Sequence, residues 1–248
     1  MTNSAEHWTQ FFQHDYVAFS ETILHAERTA YEIEKITEIL DLPPGAAVLD
    51  LGCGQGRISI PLALRGYKVT GYDSSAALLE VAAQRASSAG ADIRWIHGDM
   101  RDLSFLGEFD AIINVGTAFG YVREEKEDAD ILCRVHAALR SGGVFLQDLE
   151  NRERKLRKLA ARTWEEMGQQ PVWSRREFDC ITGRWTETIS WMKDGELETR
   201  ILDLRLYAAT EIIRLTDAAG LTVRGVYGGL DRSALSPDSL RMVIVSER

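Results

Sequence analysis

The chain has 248 residues, 45% of them hydrophobic and 27% charged, which is the balance of a globular protein long enough to bury a full core. Its formal net charge of −9 argues against a surface built to grip nucleic acid or anionic membrane. No run approaches the ~18 apolar residues of a membrane span, and the start Met1–Trp8 lacks the pattern of a secretory signal. Cys53, Cys133 and Cys180 are too scattered for a disulfide framework or a zinc site, so no metal is expected and a cytoplasmic location is.

Trp8, Phe12, Tyr16 and Phe19 recur at helical spacing and predict one aromatic helix face. Residues 21–40 predict a second helix, with Ile23, Tyr31, Ile33, Ile36, Ile39 and Leu40 apolar and Leu42-Pro43-Pro44-Gly45 as its stop. Strands and helices then alternate: strand 47–51, helix 57–65, strand 68–72, helix 75–89, strand 93–97, strand 109–115, helix 124–140 and strand 144–149. Near-continuous apolar strands in a β-α alternation predict a doubly wound, mostly parallel α/β sheet with right-handed crossovers.

From about residue 160 the period shortens to two. Trp185, Glu187, Ile189 and Trp191 share one phase, as do Leu202, Leu204 and Leu206. Turn signals at Ile181-Thr182-Gly183 and Asp194-Gly195 predict a three-stranded antiparallel meander over about 170–207. Thr210 is the expected cap of a helix to Ala219, followed by strands 221–227 and 241–246. The expected division is an N-terminal helical lid at 1–41, a core at 42–160 and 208–248, and an inserted β lid at 161–207.

Three acids mark a ligand path. Asp50 ends the first strand, just before Gly52-Cys53-Gly54-Gln55-Gly56; Asp73 ends the second and Asp99 follows the third. In a doubly wound sheet these strand ends lie along one edge, where ligands bind. A carboxylate after the second strand suits the two hydroxyls of a ribose. Met100 offers a base soft contact area. The glycines read GxGxG rather than the dinucleotide GxGxxG, with Arg57 at the place of the third dinucleotide glycine, and an acid ahead of the turn disfavours a pyrophosphate.

The stretches VLDLGCGQGR at 48–57, GYDSS at 71–75, GDMRDL at 98–103, FDAIINVGTAFGY at 109–121 and LRSGGVFLQDL at 139–149 occur in an order that resembles the class I S-adenosylmethionine-dependent methyltransferases. The Gly-Gln-Gly-Arg loop, Ala118–Tyr121 and the late meander look like the small-molecule subgroup of sugar-amine and glycine N-methyltransferases. The resemblance implies a seven-stranded Rossmann-like sheet with an antiparallel last strand, S-adenosyl-L-methionine as cofactor, and methylation of nitrogen or oxygen on a small-molecule acceptor. It implies that the Gly52–Gly56 loop, with Gly52, Cys53 and Gly54 foremost, takes the methionyl part with Asp50 beside it. Asp73 and Ser74 would take the ribose, Asp99 and Met100 the adenine, and Asn114 and Val115 would lie by the sulfonium. Arg28 is the candidate partner of the methionyl carboxylate.

No catalytic base can be assigned. Tyr16 and Tyr121 are the favoured pocket candidates; Asp148, Tyr207 and Asp231 are further ones, and His14, His25 and His97 read mainly as structural. Trp173, Trp185 and Trp191 read first as packing of the meander against the domain, with a pocket for an apolar or cationic acceptor as the alternative. The basic run Arg152, Arg154, Lys155, Arg157 and Lys158 keeps open an RNA or protein methyltransferase, and a non-catalytic cofactor-binding module is a third reading. A homodimer is compatible with the sequence.

Overall fold

A computed structural model describes residues 6–13, 16, 17, 20, 24–167 and 170–248. The described helices are α1 (His7–Phe11), α2 (Ala26–Leu40), α3 (Ser59–Leu64), α4 (Ala76–Ala89), α5 (Glu125–Ala138), α6 (Arg152–Arg157) and α7 (Ala209–Ala218). The strands are β1 (Ala47–Leu51), β2 (Lys68–Asp73), β3 (Arg94–His97), β4 (Phe109–Asn114), β5 (Leu139–Glu150), β6 (Arg162–Met167), β7 (Gln170–Asp179), β8 (Arg184–Lys193), β9 (Glu196–Arg205), β10 (Thr222–Tyr227) and β11 (Arg241–Glu247).

The main sheet has seven strands in the order β10-β11-β5-β4-β1-β2-β3. β11 runs antiparallel to both of its neighbours, while β1, β2, β3, β4 and β5 are parallel. The apolar central strands explain the two-sided cover. Leu49, Leu51 and Ile112 pack on one face against Ile131, Leu132 and Val135 of α5 and Ile212 of α7. Val48, Ala111 and Ile113 pack on the other against Ile33 and Ile36 of α2 and Leu62 of α3. β1 and β4 are adjacent, yet the chain leaves β1 toward β2 and leaves β4 toward β5. The crevice opens at this topological switch, beyond the strands' carboxyl ends.

β6, β7, β8 and β9 form a second, antiparallel sheet. It has four strands rather than three. β6 went unread because its sequence, Arg162-Thr163-Trp164-Glu165-Glu166-Met167, has no apolar phase; it lies at the sheet edge, with Trp164 exposed. The Asp194-Gly195 turn forms as expected, with both residues at positive φ.

The N-terminal aromatic helix forms differently. α1 ends at Phe11, and Phe12 leaves helical geometry at φ −85°, ψ 69°. The Phe12 carbonyl instead accepts a hydrogen bond from the Ser75 hydroxyl at 2.6 Å, so a tertiary bond replaces the next helical one. The rings meet by folding back: Phe12 packs edge-on against both Tyr16 and Tyr121. His14, Phe19 and Ile23 lie outside the described residues. α7 is capped at Ala208, whose N–H is taken by the Glu211 carboxylate at 2.8 Å, so Thr210 sits inside the helix rather than at its cap.

One buried pair ties the chain after β9 to α5. The Tyr207 hydroxyl donates to Asp128 Oδ2 at 2.6 Å, and Asp128 is fully buried. Burial pushes its carboxyl up to about 7, against the opposing pull of the Tyr207 hydrogen bond and Arg205. The native state therefore keeps a proton that an unfolded carboxylate releases near pH ~4. This group's contribution to stability is largest below that point and falls as pH rises toward 7, by up to about 1.4 kcal/mol per pH unit. Asp128→Asn removes that slope: thermal denaturation across pH 5 to 8 should show the melting temperature of the variant rising relative to wild type as pH increases. A constant offset between the two would contradict this reading.

Candidate functional site

The crevice is a cavity of about 480 Å³, floored by the ends of β1, β2 and β4 and roofed by the N-terminal segment and the second sheet. Its floor begins with the turn from β1 into α3. Gly52, Gly54 and Gly56 all have positive φ. The N–H groups of Gly52 and Cys53 donate to the Tyr72 carbonyl at 2.8 and 3.2 Å, and Gly54 N–H donates to Asp73 Oδ2 at 2.7 Å. A Cβ on Gly52 would sit 2.5 Å from Ala118 Cβ and 2.9 Å from Met100 Cε, so close approach as well as φ requires glycine here.

Asp50 lines the cavity and is buried beneath this turn, where it accepts the Ser59 hydroxyl at 2.6 Å. It thereby tethers the start of α3, whose own N-cap residue, Ile58, offers no side-chain acceptor. Burial pushes its carboxyl up to about 6, with the Ser59 hydrogen bond and Arg57 opposing. Asp73 accepts Gly54 N–H on one oxygen and Ser75 N–H on the other, leaving each oxygen a second acceptor site toward a ligand. Burial raises its carboxyl as well.

Asp99 sits where β3 gives way to a short 3-10 turn. Gly98 leaves space there for the Tyr72 hydroxyl, from which a Cβ would lie 2.3 Å, and that hydroxyl donates to the Asp99 carbonyl at 2.8 Å. Burial would raise the Asp99 carboxyl, but hydrogen bonds from the Arg101 side chain and backbone outweigh it and hold the carboxyl low. Arg101 also grips Glu6, at 2.8 and 2.9 Å, and Glu127, at 3.0 Å. One guanidinium thus fastens the N-terminal segment to the edge of the cavity.

Of the residues singled out from sequence, Arg28, Asp50, Gly52, Cys53, Gly54, Asp73, Ser74, Asp99, Met100, Tyr16 and Tyr121 all line this cavity. Asn114 does not. Its amide donates to the Leu51 carbonyl at 2.7 Å and so braces the turn from below. Arg28 shares Glu32 with Arg57, at 2.8 and 2.6 Å, and Arg57 is a wall residue that spacing arguments treated only as a missing glycine. Burial raises the phenols of Tyr16 and Tyr121, keeping both protonated at neutral pH.

The far end of the cavity is built by the inward face of the second sheet. Cross-strand rows descend from Val172 and Trp191, through Ser174, Ile189 and Arg200, to Arg176, Glu187 and Leu202, and then to Phe178, Trp185 and Leu204. Glu187 is buried in this otherwise largely apolar phase, held by Arg176 at 2.7 Å and Trp185 Nε1 at 3.3 Å. Glu150, at the end of β5, faces the same space with Lys155 at 3.5 Å and Arg241 at 3.4 Å. Both acids were absent from the candidate set. For Glu187 the available signal was an acid in the apolar phase of a period-two strand; Glu150 carried none.

Other candidates lie elsewhere. Asp148 is locked to Arg241 by hydrogen bonds of 2.7 and 3.0 Å and is buried. Asp231 is exposed and bound to Ser233. Tyr207 is spent on Asp128. Trp173 points out of the opposite face of the sheet, paired with Trp164, so no three-tryptophan cage forms. His25 caps α2, and His97 bonds the Ser74 carbonyl. Among the described residues there is no cluster of potential metal ligands.

Comparison with known proteins agrees with this geometry. Residues 48–143 match a family model described as a methyltransferase domain. A putative methyltransferase of Bacillus subtilis, YqeM, is 35% identical over 111 residues, covering 44% of this chain and 44% of that protein. The chain thus spans less than half the length of such relatives. The cypemycin N-terminal methyltransferase of a Streptomyces species is 28% identical over 82% of this chain and 84% of its own. The crystal structure of an S-adenosylmethionine-dependent methyltransferase from Clostridium acetobutylicum superposes with a TM-score of 0.81, at 16% identity, over 94% of this chain and 97% of that one. Residues 48–143 thus match a methyltransferase-domain model, and the chain as a whole shares its fold with an S-adenosylmethionine-dependent methyltransferase.

Proposed function

We propose that this protein transfers a methyl group from S-adenosyl-L-methionine to an amine of a small-molecule acceptor. The observation that carries this reading is a single cavity that runs from the glycine turn, with Asp73 and Asp99, to the carboxylates Glu150 and Glu187. The cofactor, when bound, supplies an electrophilic methyl on an already cationic sulfur, so the protein's task is alignment and exclusion of water.

Gly52, Cys53 and Gly54 would cradle the methionyl part, with Asp50 rigidifying the turn from below. Arg28 and Arg57 would share its carboxylate, Asp73 and Ser74 would take the ribose, and Asp99 and Met100 the adenine. Asn114 supports the turn. Residues 1–41 and 161–207 act as lids over the core at 42–160 and 208–248. Tyr16 and Tyr121, protonated, serve as hydrogen-bond donors and walls rather than as bases. Glu150, paired with Lys155 and Arg241, and Glu187, paired with Arg176, keep acceptor sites at the far end for the N–H groups of an amine. The printed name of the cypemycin relative, an N-terminal methyltransferase, fits amine chemistry. A macromolecular acceptor is less well supported, because three members of the basic run are spent on ion pairs: Arg152 with Glu211, Lys155 with Glu150 and Arg157 with Asp238.

Calorimetric titration with S-adenosylhomocysteine should show binding to a single site, and its absence would overturn the cofactor assignment. Asp73→Ala, checked for folding by its melting temperature, should weaken that binding by about tenfold to a hundredfold, the worth of one or two charge-assisted hydrogen bonds. Once an acceptor is in hand, Glu187→Gln should raise its KM about tenfold while leaving affinity for the cofactor product unchanged. An unaltered KM would remove Glu187 from acceptor recognition.

A further inference from the structure

A second cleft, of about 220 Å³, adjoins the far end of the main cavity and shares Glu150, Glu187 and Leu240 with it. Its outer wall is the basic run. Arg154, Lys155 and Lys158 face it from α6 and the residue after, and Arg176 faces it from β7. Leu156, on the same segment, packs against the Trp185 cluster and seats α6 against the lid.

Four cations therefore stand against two carboxylates, and the pairing is uneven. Arg176 is engaged by Glu187 at 2.7 Å, with Glu165 also 3.8 Å away. Lys155 is engaged by Glu150 at 3.5 Å and lies 4.8 Å above the Trp185 ring. The side chains of Arg154 and Lys158 form no ion pair or hydrogen bond among the described residues, and Arg154 is half-buried. A helix displaying its charges only to solvent would not set them into the wall of a cleft that opens on the reaction cavity.

We infer that this cleft is a subsite for an anionic group of the acceptor, a phosphate or a carboxylate, held by Arg154 and Lys158 with Arg176 at its back. The acceptor is then bipartite. Its amine passes Glu150 and Glu187 into the main cavity, while its anionic end stays on α6 and closes the outer mouth. The cleft has room for a small anionic group. The inference rests on the methyltransferase reading for what enters the main cavity.

The test uses the full chain with S-adenosylhomocysteine bound, titrated calorimetrically at constant ionic strength with inorganic pyrophosphate and, separately, with citrate. Saturable binding of at least one anion is expected, the preferred one naming phosphate or carboxylate. The double variant Arg154→Gln/Lys158→Gln should weaken it about tenfold or more. That variant should keep wild-type affinity for S-adenosylhomocysteine and its melting temperature. Lys126→Gln, which removes a lysine paired with Asp130 on α5, should leave anion binding unchanged. Saturable binding of neither anion, or equal binding by the double variant, overturns the subsite. A single-stranded RNA oligonucleotide that binds more tightly than pyrophosphate, and is lost in the same double variant, overturns the small-molecule assignment. Failure of S-adenosylhomocysteine to bind the same wild-type preparation overturns the reading of the glycine turn instead.

Discussion

Three backbone N–H groups hold the site together. Those of Gly52 and Cys53 reach the Tyr72 carbonyl, and that of Gly54 reaches the Asp73 carboxylate, so the turn after β1 is stitched to the end of β2. The stitch needs left-handed backbone and bare glycine, because Ala118 and Met100 already occupy the space a Gly52 side chain would take. It also fixes Asp73 before any ligand arrives, with one N–H on each oxygen and an acceptor site left over on each. Preorganisation of this kind removes ordering cost from binding. Asp50 and Asn114 serve the same turn from below, one through Ser59 and the other through the Leu51 carbonyl.

The roof is attached to this floor by specific polar bonds rather than by apolar packing alone. The Ser75 hydroxyl holds the Phe12 carbonyl, Gln55 holds the Ser20 hydroxyl at 2.8 Å, and Arg101 joins Glu6 to Asp99. Each bond links the N-terminal segment to a residue of the cavity rim. Such bonds can be broken and remade at modest cost, about 0.5–1.5 kcal/mol for a neutral one. The second sheet differs: its Trp185 and Leu204, with Leu206 just after β9, form an apolar root of their own with Tyr121 and Leu156 packed against it, and its polar inward residues stand over the cavity.

The sequence was most legible where period and turn chemistry act locally. The apolar strands β1 and β4, the end of α4 at Gly90, which takes the left-handed φ of 69°, and the Asp194-Gly195 hairpin follow from side-chain pattern alone, and so does the alignment of Asp50, Asp73 and Asp99 along one edge. What was hidden depended on tertiary partners. Phe12 leaves its helix because Ser75, 63 residues away, takes its carbonyl. β6 carries no apolar phase because it is an exposed edge. Asp148 resembles a cavity acid until Arg241, on the antiparallel last strand, claims it. Glu187 and Arg57 were visible as residue types but gained meaning only when the second sheet folded over the crevice and Glu32 drew two arginines together.

Methyl transfer to a small molecule is directly measurable. The direct measurement is incubation of the protein with methyl-labelled S-adenosyl-L-methionine and a cell extract separated into metabolite, RNA and protein fractions, followed by mass identification of the labelled product. The account predicts label in the metabolite fraction, on the nitrogen of a compound that also carries a negative charge. Label confined to RNA or protein, or a protein that binds the cofactor and labels nothing, would contradict it.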